Sequence, residues 1–433
     1  MIRLGDYMKL LIKNGSVITM DLDRNSKYEE LDILVDNDKI VYVGDNYAGE
    51  YDDVIDASGK IVLPGLINCH THLGMSLFRC SNDNYSLDKW LNEFIWPIED
   101  KLTDDDIYYT TMLSLIEMIK TGSTCYNDMY FGWKGSIPAI IESGIRGTYG
   151  RCLMGDMDAA GIDRVKDFKG MYDKYKDNEL IRFSIAPHAL YTCSMDYLKM
   201  CSDMAFEYNL PMHIHLSENL DEVNTVKNKF DMMPIEVLED SNILNHKLVL
   251  AHGTFISDNE LDMIRDRDVS ICTNPVSNLN LGCGIADIVK YRDKGINICL
   301  GTDGQGSGNS MNLFYHMSLV DYLQKGKYED STIMSSYDVL KMATINGAKA
   351  LGYDDIGSIR VGNKADIIIL NVDDICINPV VDIISHVVHN CFSNSVDTTI
   401  CNGKILMRDK KLCIGVDEDE IKEKVNTIRK NLL

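Results

Sequence analysis

The thirteen cysteines of this 433-residue chain include no pair in C-x-x-C spacing, and their number is odd. That excludes a zinc ribbon, a thioredoxin-like redox motif and a small disulfide framework. Cys125, Cys272 and Cys299 lie inside apolar runs, where a reduced thiol behaves as a small hydrophobe, so a reducing, cytoplasmic setting is expected. The N-terminus lacks a basic stretch followed by an apolar run and cleavage site, so no secretory leader is expected. No apolar run approaches membrane-span length. Positive charge is also scarce: 43 Lys and Arg stand against 66 Asp and Glu, a net charge of -23. Such a surface repels nucleic-acid phosphates and anionic membranes, which leaves a small molecule as the expected partner. Oligomeric state is not legible, and a homo-oligomer stays open.

Several catalytic signatures are missing too. There is no G-x-S-x-G elbow to anchor an α/β-hydrolase serine. The segment GTDGQGSGN follows a strand-like run but lacks the G-x-G-x-x-G order of a dinucleotide site. Neither H-E-x-x-H nor the P-C-x-x-C of the cytidine-deaminase zinc site occurs.

What is present is a regular alternation. The first sixty residues and the C-terminal part (GSIRVGNKADIIILNV, TTICNGKILM) read as short strands with turn pairs such as Asn14-Gly15. They predict one small β-sandwich assembled from residues 1–61 and 359–433. Between them, strands are expected at 61–68, 122–129, 146–154, 182–191, 210–218, 247–255, 269–276 and 296–304. Most are separated by amphipathic helical patterns, such as TDDDIYYTTMLSLIEMIKTG with acidic residues in its first turn. Roughly eight strand–helix units over about 240 residues predict an α/β fold, a (β/α)8 barrel over 62–358, with a doubly wound open sheet as the alternative.

The polar residues of interest fall at the C-terminal ends of these strands, where barrel enzymes build their sites. GLINCHTH ends in His70 and His72, which share one side of an extended strand and point into the barrel mouth if Val62, Pro64 and Leu66 continue the same phase. That spacing suits a two-tooth clamp for a metal preferring nitrogen, against the bland reading of two hydrogen-bonded loop histidines. MHIHLSE repeats the spacing: His215 is the expected ligand, His213 lies a layer deeper, and Glu218 is placed for proton transfer. LAHGTF sets His252 at another strand end. LGTDG sets Asp303 where it could complete the donor set and leave a position for water. Taken singly, each has a structural reading as a turn or buried hydrogen-bonded residue.

GLINCHTH, HIHLSE, LAHGTF and LGTDG together resemble the amidohydrolase superfamily, over essentially the whole chain. Many members bridge two metals with a carbamylated lysine at the fourth strand; here IAPHALYT carries His188 and no lysine, as in the mononuclear branch. Within it, THLGMSLFRC, LDKWLNEFIWPIEDKLT, APHALYTCS and TNPVSNLNL are most similar to the 5'-methylthioadenosine/S-adenosylhomocysteine deaminases. The resemblance implies one divalent metal, zinc first with iron or manganese as alternatives, on His70, His72, His215 and Asp303. It implies Glu99 on the ribose hydroxyls, Arg151 and His188 on the substrate, Glu218 facing the purine and His252 holding the attacking water. Arg164 is a further candidate for a substrate carboxylate, and Trp90 and Trp96 for stacking on adenine. Each has a competitor: Glu99 as solvated surface, Arg151 as an ion-pair partner, the tryptophans as core.

The implied reaction is hydrolytic deamination of an adenine nucleoside to the inosine-type product and ammonia, with Glu218, His252 and Asp303 moving protons. A same-scaffold enzyme acting on a free base or a triazine, guanine deaminase-like or atrazine chlorohydrolase-like, is the alternative. A non-catalytic metal-binding barrel is a third, disfavoured by the intact set of proton-transfer residues.

Overall fold

A computed structural model describes residues 9–81, 85 and 87–433. Five N-terminal strands, β1 (Lys9–Val17), β2 (Glu29–Asp36), β3 (Lys39–Gly44), β4 (Asp53–Asp56) and β5 (Lys60–Pro64), belong to one sheet. Eight further strands follow: β6 (Leu66–Thr71), β7 (Ser123–Tyr130), β8 (Arg146–Leu153), β9 (Ile181–Pro187), β10 (Met212–Leu216), β11 (Leu248–His252), β12 (Val269–Thr273) and β13 (Asn297–Leu300). These pair in chain order, every neighbour parallel, as an eight-stranded sheet with helices between most strands. Then β14 (Ile367–Asn371), β15 (Val396–Cys401), β16 (Lys404–Arg408) and β17 (Lys411–Leu412) return to the first sheet, where β14 lies antiparallel to β5. That nine-stranded mixed sheet encloses its own apolar cluster, with Leu10, Ile12, Ile33, Val62, Ile367 and Ile369 fully buried or nearly so. The expected barrel and small β-sandwich are both present.

Side chains close the barrel seam between β13 and β6. Thr302 donates its backbone N–H to Asn68 Oδ1 at 3.0 Å, and Asn68 Nδ2 donates to Thr302 Oγ1 at 2.8 Å. One turn higher, Asp303 N donates to His70 O at 3.0 Å. The seam therefore puts the first and eighth strand ends side by side, 233 residues apart in sequence.

Two details differ from the sequence reading. The run 61–68 is not one strand: it breaks at Gly65, so that β5 stays in the sandwich sheet and β6 begins the barrel. A Cβ at Gly65 would lie 2.1 Å from Thr124 Oγ1, so only glycine allows this close crossing. The expected phase from Val62 through Leu66 to His70 also fails. Asn68 pairs with Tyr126 but Thr71 with Asp128, so β6 carries one extra residue at a bulge. Ile67 and Cys69 pack with Cys125, Val249, Cys272 and Cys299 in the barrel interior, and the bulge then turns His70 and His72 inward as well.

Local signals place the helices. Asp104–Lys120 starts with a Thr103–Asp106 capping box and three acidic residues in its first turn, and ends near Lys120, as the helix dipole favours. The C-terminal helix Glu418–Leu432 lies against it, with Lys120 Nζ 2.7 Å from Glu418 Oε2. Arg146 on β8 forms a buried two-pronged pair with Asp366, Nε and Nη2 each 3.0 Å from a carboxylate oxygen, joining the barrel to the strand that leads into β14. No helix among the described residues is long and apolar enough to cross a membrane.

Candidate active site

The barrel's C-terminal rim gathers His70 from β6, His72 just past it, His215 from β10, His252 from β11 and Asp303 just past β13. Asp303 Oδ1 lies 3.3 Å from His70 Nε2 and 3.2 Å from His72 Nε2, and His72 Nε2 lies 3.2 Å from His215 Nε2. Each imidazole is oriented from behind. His72 Nδ1 donates to Met129 O and His215 Nδ1 to His188 O, both at 2.6 Å, so both turn Nε2 into the cluster. His70 Nδ1 is bonded to His213 Nε2 at 2.9 Å, which gives His213 the deeper position expected for it. His70 Nε2 is fully buried and has no hydrogen-bond partner among the described residues. A buried nitrogen aimed at two more imidazoles and a carboxylate needs an occupant, and three nitrogens plus an oxygen suit a divalent cation.

Electrostatics agree with that donor chemistry. Burial drives His70 down to about 4 and His215 well below its ordinary value, so both are neutral donors. Burial also acts on His72, but the facing Asp303 carboxylate outweighs it and raises His72 to about 9, so a cation must displace that proton on entering. Asp303 feels burial as well, yet His70 and His72 hold its carboxyl well below the usual range. Its second oxygen accepts from Ser277 Oγ and Ser307 Oγ, both at 2.7 Å, which fixes the plane of the carboxylate.

Two titratable groups stand beside the cluster. Glu218 Oε2 is 3.9 Å from His252 Nε2, and both residues are almost wholly buried. Burial raises the Glu218 carboxyl above its ordinary value, partly countered by His252. His252 Nδ1 donates to Asn278 Oδ1 at 2.8 Å, which leaves Nε2 as an acceptor on the cavity side. Ser217, His252 and Asp303 all adopt left-handed backbone, with φ of 52°, 73° and 62°. Such conformations cost energy in non-glycine residues and persist where surrounding contacts enforce them.

His72, His215, Glu218, His252 and Asp303 line a cavity of about 470 Å³, together with Glu99, Arg151, Arg164, His188, Trp90 and Trp96. Glu99 is 8% exposed, not on a solvated face, and its Oε1 accepts from Tyr130 OH at 2.8 Å. Burial pushes its carboxyl up to about 7. Arg151 does have an ion-pair partner, Asp167 Oδ2 at 2.9 Å, and still borders the cavity. Arg164 is anchored through Nη1 to Met154 O at 2.9 Å. His188 Nδ1 is 3.0 Å from Thr192 Oγ1, and its ring meets Trp96 edge to face at 6.4 Å. All the residues expected at the site border this cavity except His70, which lies beneath its floor in contact with Asp303.

Two carboxylates support these residues from behind, Asp128 at a strand end and Glu222 in a helix. Asp128 Oδ1 accepts from Thr71 Oγ1 at 2.9 Å and Leu73 N at 2.8 Å, fixing the backbone on either side of His72. Glu222 accepts from Ser217 N at 3.0 Å and Glu218 N at 2.7 Å, holding the turn that carries Glu218. In sequence Glu222 resembles any acidic residue in a helix's first turn; only its burial distinguishes it.

A parallel barrel with imidazoles and a carboxylate converging at its strand ends is the frame of a metal-dependent hydrolase. Residues 61–406 match the model of the amidohydrolase family, and the chain belongs to that family. It is 39% identical over 431 residues to a 5-methylthioadenosine/S-adenosylhomocysteine deaminase of Thermoanaerobacter pseudethanolicus, covering 98% of this chain and 100% of that one. It is 39% identical over 421 residues to a 5'-deoxyadenosine deaminase of Methanocaldococcus jannaschii, covering 96% and 97%. The crystal structure of an adenosine deaminase from Xanthomonas campestris with bound zinc superposes with a TM-score of 0.93 at 26% identity, over 98% of both chains.

Proposed function

We propose that this chain hydrolytically deaminates adenine nucleosides, releasing ammonia and the inosine-type product. The observation that carries the reading is the placement of Glu218 and His252, 3.9 Å apart, on the wall of the cavity into which the His72, His215 and Asp303 cluster opens. His70, His72, His215 and Asp303 would hold one divalent ion, with zinc preferred because the Xanthomonas neighbour binds it and the donors suit it. When bound, such an ion acidifies water and so makes hydroxide available near neutral pH.

The protein's own groups then do the following. His252 Nε2 orients the attacking water by accepting its hydrogen bond, its ring fixed from behind by Asn278. Asp303, held in plane by Ser277 and Ser307, takes the water's proton. Glu218, whose carboxyl burial raises above its ordinary value, gives a proton to ring N1, so that C6 accepts the oxygen and becomes tetrahedral. The proton collected by Asp303 passes to the departing amino group; as the C6–N bond breaks and ammonia leaves, the C6 hydroxyl becomes the carbonyl and returns its proton to Glu218. Glu99 Oε1 already accepts from Tyr130, which leaves Oε2 to receive the ribose hydroxyls. Arg151 and Arg164 present positive charge to the same cavity, and suit a 5' substituent that ends in a carboxylate. This favours S-adenosylhomocysteine beside 5'-methylthioadenosine and 5'-deoxyadenosine as substrates. A buried ribose-binding carboxylate weighs against the free-base and triazine alternatives, whose substrates offer nothing to it.

The Glu218→Gln variant tests the proton-transfer role. It should bind metal as the wild type does and lose turnover by about a hundredfold or more. Unchanged turnover in metal-replete Glu218→Gln would remove Glu218 from the mechanism.

A further inference from the structure

We infer that Cys283 is a positioning residue for Glu218, and that one short segment, from Asn278 in the helix Pro275–Asn280 through the turn to Gly284, sets the geometry of both proton-handling side chains. The inference rests on the deaminase reading above. Cys283 is 2% exposed, and its thiol lies 3.5 Å from Glu218 Oε1, within reach of an S–H···O bond. The opposite oxygen, Oε2, is the one facing His252. The thiol therefore fixes which edge of the carboxyl group looks into the cavity.

The same segment reaches His252. Asn278 Oδ1 accepts from His252 Nδ1 at 2.8 Å, while the Asn278 carbonyl accepts from Cys283 N at 2.7 Å. Asn278 thus holds the imidazole with its side chain and the thiol-bearing residue with its backbone. The turn that brings Cys283 over Glu218 uses positive φ at the glycines on both sides, 69° at Gly282 and 108° at Gly284. At Gly284 a Cβ would also approach Phe255 to 3.0 Å. The backbone of Glu218 is held separately, by the Glu222 carboxylate. Glu218 is consequently clamped at both ends: Glu222 on its N–H and Cys283 on its side chain.

A thiol is a weak donor, and here it donates to a carboxyl that must exchange a proton with the substrate in every turnover. A hydroxyl at the same place would preserve the contact; a methyl would leave the carboxyl free to rotate.

The test uses Cys283→Ser and Cys283→Ala in the zinc-loaded full-length chain, alone and combined with Glu218→Gln. Steady-state kinetics on 5'-methylthioadenosine are read beside metal content and melting temperature. Cys283→Ala should lower kcat about tenfold with KM within about twofold, because the lost bond acts on proton transfer rather than on binding. Cys283→Ser should restore most of that kcat. In the Glu218→Gln background, Cys283→Ala should cost nothing further, since a residue that acts through Glu218 has nothing left to act on. Wild-type kcat in Cys283→Ala would overturn the inference, as would a loss that serine fails to rescue or that persists undiminished in the Glu218→Gln background. Failure of the underlying reading looks different: Glu218→Gln itself would then be fully active.

Discussion

Glu99 has lost nearly all contact with solvent, and its side chain accepts a hydrogen bond from a phenol, Tyr130, with His72 adding a weaker electrostatic support. Burial therefore raises its carboxyl to about 7, and it is protonated below that pH and ionised above it. Only the ionised form can accept from two ribose hydroxyls. The expected outcome is a fall in kcat/KM as pH drops through about 7, contributed by the free enzyme and flattened in Glu99→Gln. The same residue affects stability in the opposite direction. Its folded-state pKa lies above the unfolded value, so its contribution is greatest at low pH and is lost as pH rises through about 7. Glu99→Ala should also raise KM for nucleosides while leaving any activity on free adenine unchanged. Equal losses on nucleoside and free base would take Glu99 off the ribose. At this scale the histidine pairs were legible, because a one-residue spacing on a strand aims both rings one way. Glu222, Asn278 and Cys283 were not. Their roles arise from turns that bring helix and loop residues within hydrogen-bond distance of the site, and no local pattern encodes those meetings.

At the scale of elements, the eight barrel strands were readable from apolar runs ending in polar residues, and the helix Asp104–Lys120 from its capping box and acidic first turn. The first barrel strand was misread because β5 and β6 are both apolar and only Gly65 separates them. Hydrophobicity cannot reveal that the chain changes sheets there; the contact of Gly65 with Thr124 can. The bulge in β6 was equally hidden, since an added residue leaves composition unchanged while reversing the facing of every side chain beyond it. A Cβ at Gly65 would have to displace the Thr124 side chain at 2.1 to 2.6 Å. Gly65→Ala should therefore destabilise the fold by about 1–3 kcal/mol, read as a lower urea midpoint. An unchanged midpoint would show that the crossing does not need glycine.

At the scale of the whole molecule, the barrel seam is the decisive feature. It brings His70 and Asp303 together across 233 residues through the Asn68–Thr302 and His70–Asp303 bonds, and so builds one donor cluster from both ends of the barrel. The small sheet, tied to β8 by the buried Arg146–Asp366 pair, holds the strand that leads into β6. Its position was legible because both terminal segments share one strand-like texture. What the outline of the fold leaves open is the ring that the attacking water meets, and that is a question for the purified protein. The direct measurement is the ultraviolet spectrum of 5'-methylthioadenosine, S-adenosylhomocysteine and 5'-deoxyadenosine incubated with zinc-loaded protein, with released ammonia assayed in parallel. The account predicts loss of the adenine absorbance with one ammonia per nucleoside consumed, abolished by chelation and restored by zinc. Intact adenine spectra with all three nucleosides, in a metal-replete sample that releases ammonia from a free base instead, would contradict it.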